Sequence, residues 1–418
     1  MSQWLLNAVS RAETVDDWLA PKRQLSLQLL RETKWPTRKT EAWKYTPLSV
    51  LADSVFQPAA NGEAVSADTI DGLNSIDLLY VDGVLVSSLE QTLPQGLTVT
   101  PLDKVCEQDK AWASDTFNKA KPQRHLFGLV NDALATSGLL IDVAPGAEIK
   151  QPLRIIVRFS NGCEAHTRIL VRVGDAAKVA VIEDFQGTES SFNTGVAEYD
   201  LAENAQLEHY RFALQTGEAL SVGGCHFNLS AKSELNSTLV GFGSKLSRLD
   251  VDVNHRGENA FAKMNAIYLL DGEELFDLHS CIEHMVPNGT TEENVRGIVA
   301  DSSRAVFNGR IHIHRDAQKT LAELNNRNLL LSRNAEINTK PELEIYADDV
   351  RCAHGATIAE IDKKALYYLR SRGVSHGQAQ IMLSFGFINE LVDQMPNEIL
   401  AEWLRPQLRE RFAKMEVK

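Results

Sequence analysis

From Leu139 to about Ile361 the chain repeats one pattern, short runs of alternating apolar residues each broken by a small or polar turn. The runs include "LLIDVAPGAEI", "ILVRVGDAAKVAVIEDF", "VAEYDLAENAQLEHYRF", "HFNLSAKSELNSTLV" and "VDVNHRGENAFAKMNAIYLL". Their turn residues Ala147, Ala176, Ala205, Ser233 and Ala260 recur about every 28 residues, a period that marks stacked repeats. Alternation makes each run a strand with one apolar face, and a strand this short cannot bury that face alone. Stacking the runs into a solenoid solves the problem most simply, so the pattern predicts a mainly β fold with a parallel β-helix core. A β-sandwich is the second choice. Later units, "SRAVFNGRIHIHRDAQKT", "LLLSRNAEINTKPELEIYADDV" and "HGATIAEID", keep the style with less regular spacing.

Helical segments flank this core, which divides the chain into residues 1–138, 139–361 and 362–418. Residues 1 to about 56 read as helical, with Trp18, Leu25, Leu27 and Leu30 at helical spacing. "WPTRKTEAWKYTPLSVL" follows, an aromatic loop carrying Trp35, Trp43 and Tyr45 that is expected to be pinned onto a core. "IDLLYVDGVLV" predicts a hairpin turning at Asp82-Gly83. A helix around "RHLFGLVNDALATSG" is expected to end at Gly138. In the C-terminal segment Asp362 can cap "KKALYYLRSRG", Gly373 ends it, and "SHGQ" fits a capping box. Ala379, Met382, Leu383, Gly386, Phe387 and Leu391 then form one apolar face, and an amphipathic segment runs from Asn397 past Trp403 to Phe412. These helices either pack on the end of the solenoid or receive another protein.

Composition removes several functions. A net charge of −13 disfavours nucleic acid, whose binding depends on Lys and Arg neutralising phosphates. Cys106, Cys163, Cys225, Cys281 and Cys352 are scattered without CxxC spacing, against both a disulfide framework and a zinc ribbon. Neither a signal-peptide core nor a stretch long enough to span a membrane is present, and the expected location is the cytoplasm. "VGFGSKLS" lacks the P-loop spacing, and HExxH and GxGxxG do not occur. A polysaccharide-active β-helix enzyme would need paired carboxylates. Asp271, Glu273 and Glu274 lie close together, but "LDGEE" is more simply a turn.

Histidines and cysteines at i and i+2 on strands share a face about 7 Å apart at their origins, close enough to converge on one soft metal. Three such pairs occur: His279 with Cys281, His312 with His314, and Cys352 with His354. Plain packing accounts for most pairs of this kind, and two ligands do not close a site. Phase sharpens the third pair. Val350, Cys352, His354, Ala356 and Ile358 share a side that faces something apolar, either the solenoid core or another chain, and from an interface the missing ligands could come.

"ADDVRCAHGATIAEID", followed by "LYYLRSRGV" and preceded by "SRAVFNGRIHI", "NRNLLLS" and "NTKPELEI", closely resembles the SufB/SufD family of iron–sulfur cluster assembly scaffolds. The likeness runs almost without a gap from about His279 to Gly373, and "TEAWKYTPLSVL" extends it to the N-terminal region. Within the family the chain is similar to the SufD branch. It is shorter than a typical SufB, lacks clustered N-terminal cysteines and carries "CAHGAT". The alternative is a SufB-type paralogue that itself receives persulfide sulfur.

The resemblance implies a right-handed parallel β-helix between helical domains, and a non-catalytic scaffold role. It implies partners: a SufB, paired through the β-helix, and the ATPase SufC, bound through the C-terminal helices around Leu366, Tyr367, Arg370, Met382 and Phe387. A homodimer without SufB is a further possibility. His354 matches a family histidine that faces SufB across the interface where a transient iron–sulfur cluster is built, and Cys352 matches its neighbour. ATP would sit on SufC, and reduced flavin on the complex at no position assignable here. The other two histidine pairs receive no role from the likeness and are expected to be structural.

Overall fold

In the computed structural model, which describes residues 2–52, 54–58, 68–89 and 92–415, the alternating runs are strands of mostly ten residues. Successive strands from Ser137–Val143 to Arg351–Glu360 fall by turns into two sheets, so that each strand pairs with the one two places along. Leu246–His255, for example, lies parallel between Leu220–Leu229 and Phe261–Leu270's opposite number Leu275–His284. Every pairing among these strands is parallel. The architecture is therefore a flattened parallel β-solenoid of about eight turns, and the sandwich alternative, which requires antiparallel sheets, does not hold.

The solenoid begins upstream of residue 139. Ile76–Val81 pairs parallel with Leu153–Arg158 and antiparallel with Val84–Leu85 across the Asp82-Gly83 turn, while Leu97–Pro101 runs antiparallel to Ser137–Val143. The expected hairpin is thus present and caps one end of a sheet. Gly138 does not end a helix. The preceding helix stops at Leu134 and Gly138 lies in a strand, where a Cβ would sit 1.7 Å from the Arg168 carbonyl oxygen. Close backbone approach, and not left-handed geometry, calls for glycine there.

The 28-residue period has a structural cause at one corner of the coil. Gly146, Ala176, Asn204, Lys232, Asn259 and Asn288 all take positive φ between 54° and 70°, and the residue after each turns inward. Ala177, Ala205, Ser233 and Ala260 are fully buried there, too small to push the stacked turns apart. Their carbonyls accept the amides of Gln206, Glu234, Phe261 and Thr290 one turn on. The sequence reading was off by one at Ala176, which takes the left-handed position itself and leaves the inward place to Ala177.

Between the sheets runs an apolar core that includes Ile141, Val181, Phe227, Val253, Ile282, Phe307 and Leu324. The outer faces are covered as well. On one sheet Phe192, Leu220, Val222 and Leu246 meet Trp4, Leu5, Leu27, Leu30, Trp43 and Phe127 from the N-terminal segment. Trp43 is buried there under the Arg248 guanidinium, 4.0 Å from the ring centroid, so the aromatic loop is pinned as expected. Leu25 is exposed, because Arg23 and Ser26 turn the buried face of its helix toward Leu27 and Leu30.

On the opposite sheet Ile182, Phe212, Val240, Ile267 and Ile298 receive Ile388, Leu391, Leu400, Leu404 and Leu408 from the C-terminal helices His376–Val392 and Glu398–Met415. Those helices therefore pack on the flank of the solenoid and not on its end, because the outward apolar columns lie along the sheet. Their contact face also differs from the one expected. Ala379, Ser384, Ile388, Leu391 and Val392 turn inward, whereas Met382 stays 55% exposed.

Candidate interface site at the open end of the solenoid

A solenoid covers each turn with the next until the last, which must be covered by something else or left open. Here the final strand of one sheet is Arg351–Glu360 and that of the other is Glu336–Ile345. Beyond them no further strand pairs among the described residues. Two ten-residue edges thus lie side by side, presenting unpaired backbone groups of the kind that template strand pairing. Exposed Ile345, Tyr346 and Ile358 add apolar surface.

Register shows which way the pair of sequence interest points. Cys352 lies opposite Ala322 and His354 opposite Leu324, and both partners are buried in the core between the sheets. Cys352 and His354 therefore continue the core-facing columns by one more turn, as their phase predicted. What lies over them is the open end. Val350 and Cys352 are still half-buried against the core, whereas His354 is exposed and makes no side-chain hydrogen bond among the described residues. Burial pushes the Cys352 thiol up, against an opposing hydrogen bond from the Ala322 backbone. The cysteine is thus held as a thiol on the margin of the core, and the imidazole is the ligand that stands clear.

A cleft of about 440 Å³ joins this end to the N-terminal aromatic segment, with Tyr45 and Thr46 on one wall and Phe307, Ile337, Lys340 and Ile358 on the other. Lys340 reaches Glu41, and the Thr46 hydroxyl donates to Asp277. Two segments far apart in sequence are in this way fastened beside the open edge.

The positions expected to meet an ATPase partner lie on the C-terminal helices. Lys363–Ser371 buries none of its residues; Tyr367 is 74% exposed, and Tyr368 beside it is exposed too. Asp362 caps its start by accepting from the Lys364 amide, and at its end Gly373, at φ 88°, donates to the Arg370 carbonyl while the Val374 amide donates to that of Leu369. These caps account for a helix that has almost no packing behind it. Leu366 is half-buried, Arg370 and Met382 are exposed, and Phe387 leans on the sheet under Arg296.

The other two sequence pairs behave differently. His279 Nε2 stands 2.9 Å from Asp277 Oδ1, and Cys281 receives Arg310 at 3.2 Å, so those side chains are separately engaged. His312 and His314 come together on Glu283. Glu274 of "LDGEE" is taken by Arg411, as befits a turn tied to a helix and not a catalytic carboxylate.

Reading of the sequence missed a series of buried polar groups. Glu183 accepts from Tyr199 at 2.9 Å, from His209 at 3.0 Å and from Arg211, all inside the coil. Burial works to raise this carboxyl, but Arg211 and His209 overcome it and hold it at about 2. Asp252 gathers His125 and His226, both at 2.7 Å, together with Arg124. Deeper toward the open end Glu293, opposite Leu324 in the ladder, has no hydrogen-bond partner on either oxygen among the described residues. Burial pushes it up to about 7, against a weak opposing pull from the nearby Ser280 hydroxyl. The signal was available in the repeat, since Glu183 and Arg211 stand 28 positions apart and Glu283 and His312 stand 29 apart.

Two family models match the sequence. Residues 157–387 match the family described as "SUF system FeS cluster assembly, SufBD core domain", and residues 10–155 match "SufBD protein N-terminal region". The Escherichia coli iron–sulfur cluster assembly protein SufD is 32% identical over 94% of this chain and 93% of its own. A SufBD family protein of Synechocystis is 30% identical over 94% of this chain and 91% of its own. The Bacillus subtilis SufB is 23% identical, over 80% of this chain and 73% of that one. The chain belongs to the SufB/SufD family of iron–sulfur cluster assembly scaffolds, and it is of the SufD type. No helix among the described residues is long and apolar enough to cross a membrane.

Proposed function

We propose that this chain is the non-catalytic SufD subunit of a SufBCD complex. It pairs with a SufB through the open end of the solenoid and contributes His354 to a site shared across that contact, where an iron–sulfur cluster is assembled and passed on as cargo. The observation that carries the reading is the placement of His354. It projects from the uncovered last turn, on the core-facing side, with no side-chain partner among the described residues. A neutral imidazole ligates iron through its free nitrogen, and a second chain laid across the open end would bury it and supply further ligands. Cys352, held as a thiol half inside the core, supports the histidine's strand and serves as a secondary ligand.

The uncovered Lys363–Ser371 helix and the Met382 face of the next helix form the docking surface for the ATPase SufC, which holds the ATP. Reduced flavin belongs to the assembled complex and has no site assigned on this chain. Cytoplasmic location follows from the same assignment. A SufB-type role, with persulfide carried on a cysteine of this chain, is less well supported. Cys163 and Cys281 are pushed up to about 12 by burial, and burial in the core raises Cys225 well above the ordinary thiol value, so none of these three offers a ready thiolate.

His354→Ala, co-expressed with SufB and SufC, tests the reading. The complex is expected to form as before, while cluster reconstituted on it, read by visible absorption and by iron and sulfide content, falls at least about tenfold. An unchanged cluster yield would remove His354 from the site.

A further inference from the structure

The cluster of His312, His314 and Glu283 has no part in the function above. The three residues lie on the outer face of the solenoid near its last turns, where Glu283 and His312 are register partners on adjacent strands and His314 follows just past the strand end. His312 Nδ1 stands 2.7 Å and His314 Nε2 2.8 Å from one oxygen, Glu283 Oε2. The imidazole rings stack with centroids 4.2 Å apart, and Tyr346 closes on His312 edge-on at 5.4 Å.

Arg310 makes this arrangement unusual. Its guanidinium, which carries donors only, donates to Glu344 at 2.8 Å through both Nε and Nη2, to Glu283 Oε1 at 2.8 Å, and to His312 Nδ1 at 3.2 Å. A ring nitrogen that accepts from Arg310 has its lone pair in use there and no proton to give Glu283 Oε2. Its lone pair and a carboxylate oxygen then crowd each other at 2.7 Å. If Nδ1 is protonated instead, it donates to Glu283 Oε2, and Arg310 Nη2 keeps Glu344 as its acceptor. In both states Nδ1, Nε2 and Oε2 converge on one small space that a cation can take in place of a proton.

From this geometry we infer that Glu283, His312 and His314 bind a divalent first-row transition-metal ion. Two imidazoles and one carboxylate converging on one point form the ligand set typical of iron(II) or zinc(II) and not of magnesium or calcium. The ligand atoms lie within 4.8 Å of one another, so bonds of about 2.0–2.2 Å require only small side-chain movement. Glu344 and Glu283 against Arg310 leave the empty site net negative. Binding replaces whatever proton the two rings share with the carboxylate and releases it to solvent.

Two other clusters bring comparable groups together, Glu183 with His209 and Cys225, and Asp252 with His125 and His226. Glu183 and its partners are fully buried and already bonded to Arg211, and Asp252 is nearly so and covered by Arg124. The Glu283 set is the most exposed of the three, with the His314 side chain 40% exposed against 11% for His125.

Tag-free full-length protein is titrated with cobalt(II), followed by its visible absorption bands, and the bound ion is then challenged with zinc(II), with iron(II) under anaerobic conditions, and with a large excess of magnesium. One cobalt(II) per chain is expected, displaced by zinc or iron and not by magnesium. Glu283→Gln and His314→Ala should each weaken binding by at least about tenfold. His354→Ala should leave it intact, which separates this site from the interface ligand. Absence of bound cobalt(II), or equal binding in the Glu283 and His314 variants, would overturn the inference. Should Glu283→Gln lose its circular-dichroism spectrum, the His314→Ala variant, altered at an exposed side chain, decides alone.

Discussion

Single residues inside this coil show how a repeat with a narrow lumen handles charge. Glu183 is ionised at neutral pH because Arg211, His209 and Tyr199 surround it, whereas Glu293 has no charged partner among the described residues and burial shifts it upward. The two therefore act on stability in opposite directions. The folded-state value of Glu293 lies above its unfolded value, so the folded chain binds the extra proton. Its stability contribution is complete below the unfolded value near 4.5 and is lost as pH rises through about 7. Glu293→Gln should raise the melting temperature at pH 8 while changing it little at pH 5. Equal effects at both pH values would show that Glu293 is not protonated in the fold. For Glu183, depressed to about 2, the stability is present above about 4.5 and lost as pH falls toward 2. Glu183→Gln leaves Arg211 buried without its counter-charge and should destabilise the chain by about 3–5 kcal/mol, measured by denaturant unfolding at pH 7.

Elements were more legible in the sequence than sites. Alternation gave the strands and the caps at Asp362, Gly373 and Ser375 gave the helix limits, because both signals are local. Gly138 misled because a glycine required by close backbone approach and one required by positive φ look alike in sequence. The face of the His376–Val392 helix misled for another reason. Met382 is as apolar as Leu391, and the columns of the sheet it might have met are set by the solenoid and not by the helix. That misplacement is informative, since it leaves Met382 exposed near a helix that buries nothing. The Tyr367→Ala and Met382→Ala changes together should leave the thermal transition within about 1 °C of the parent, because surface changes of this kind shift stability little. Affinity for SufC, measured by calorimetry, should fall by at least about 2 kcal/mol. Unaltered affinity would place the ATPase contact elsewhere.

Across the whole molecule, one end of the coil is closed by the antiparallel pieces around Ile76–Leu85 and Leu97–Pro101, and both flanks are covered by helices. Among the described residues only the last turn is left open, and it carries Cys352 and His354. Sequence phase pointed those side chains inward, but could not show that inward here means the uncovered mouth of a solenoid, because that depends on where the stacking stops. The central claim is that this mouth is a joint with a second family member. Native mass spectrometry of the chain co-expressed with SufB and SufC tests it most directly. The account predicts a single assembly that contains this chain, SufB and SufC, and that loses SufB when Ile358 on the open edge is changed to Asp. Recovery of this chain alone, or only as a homodimer with SufB absent, would contradict it.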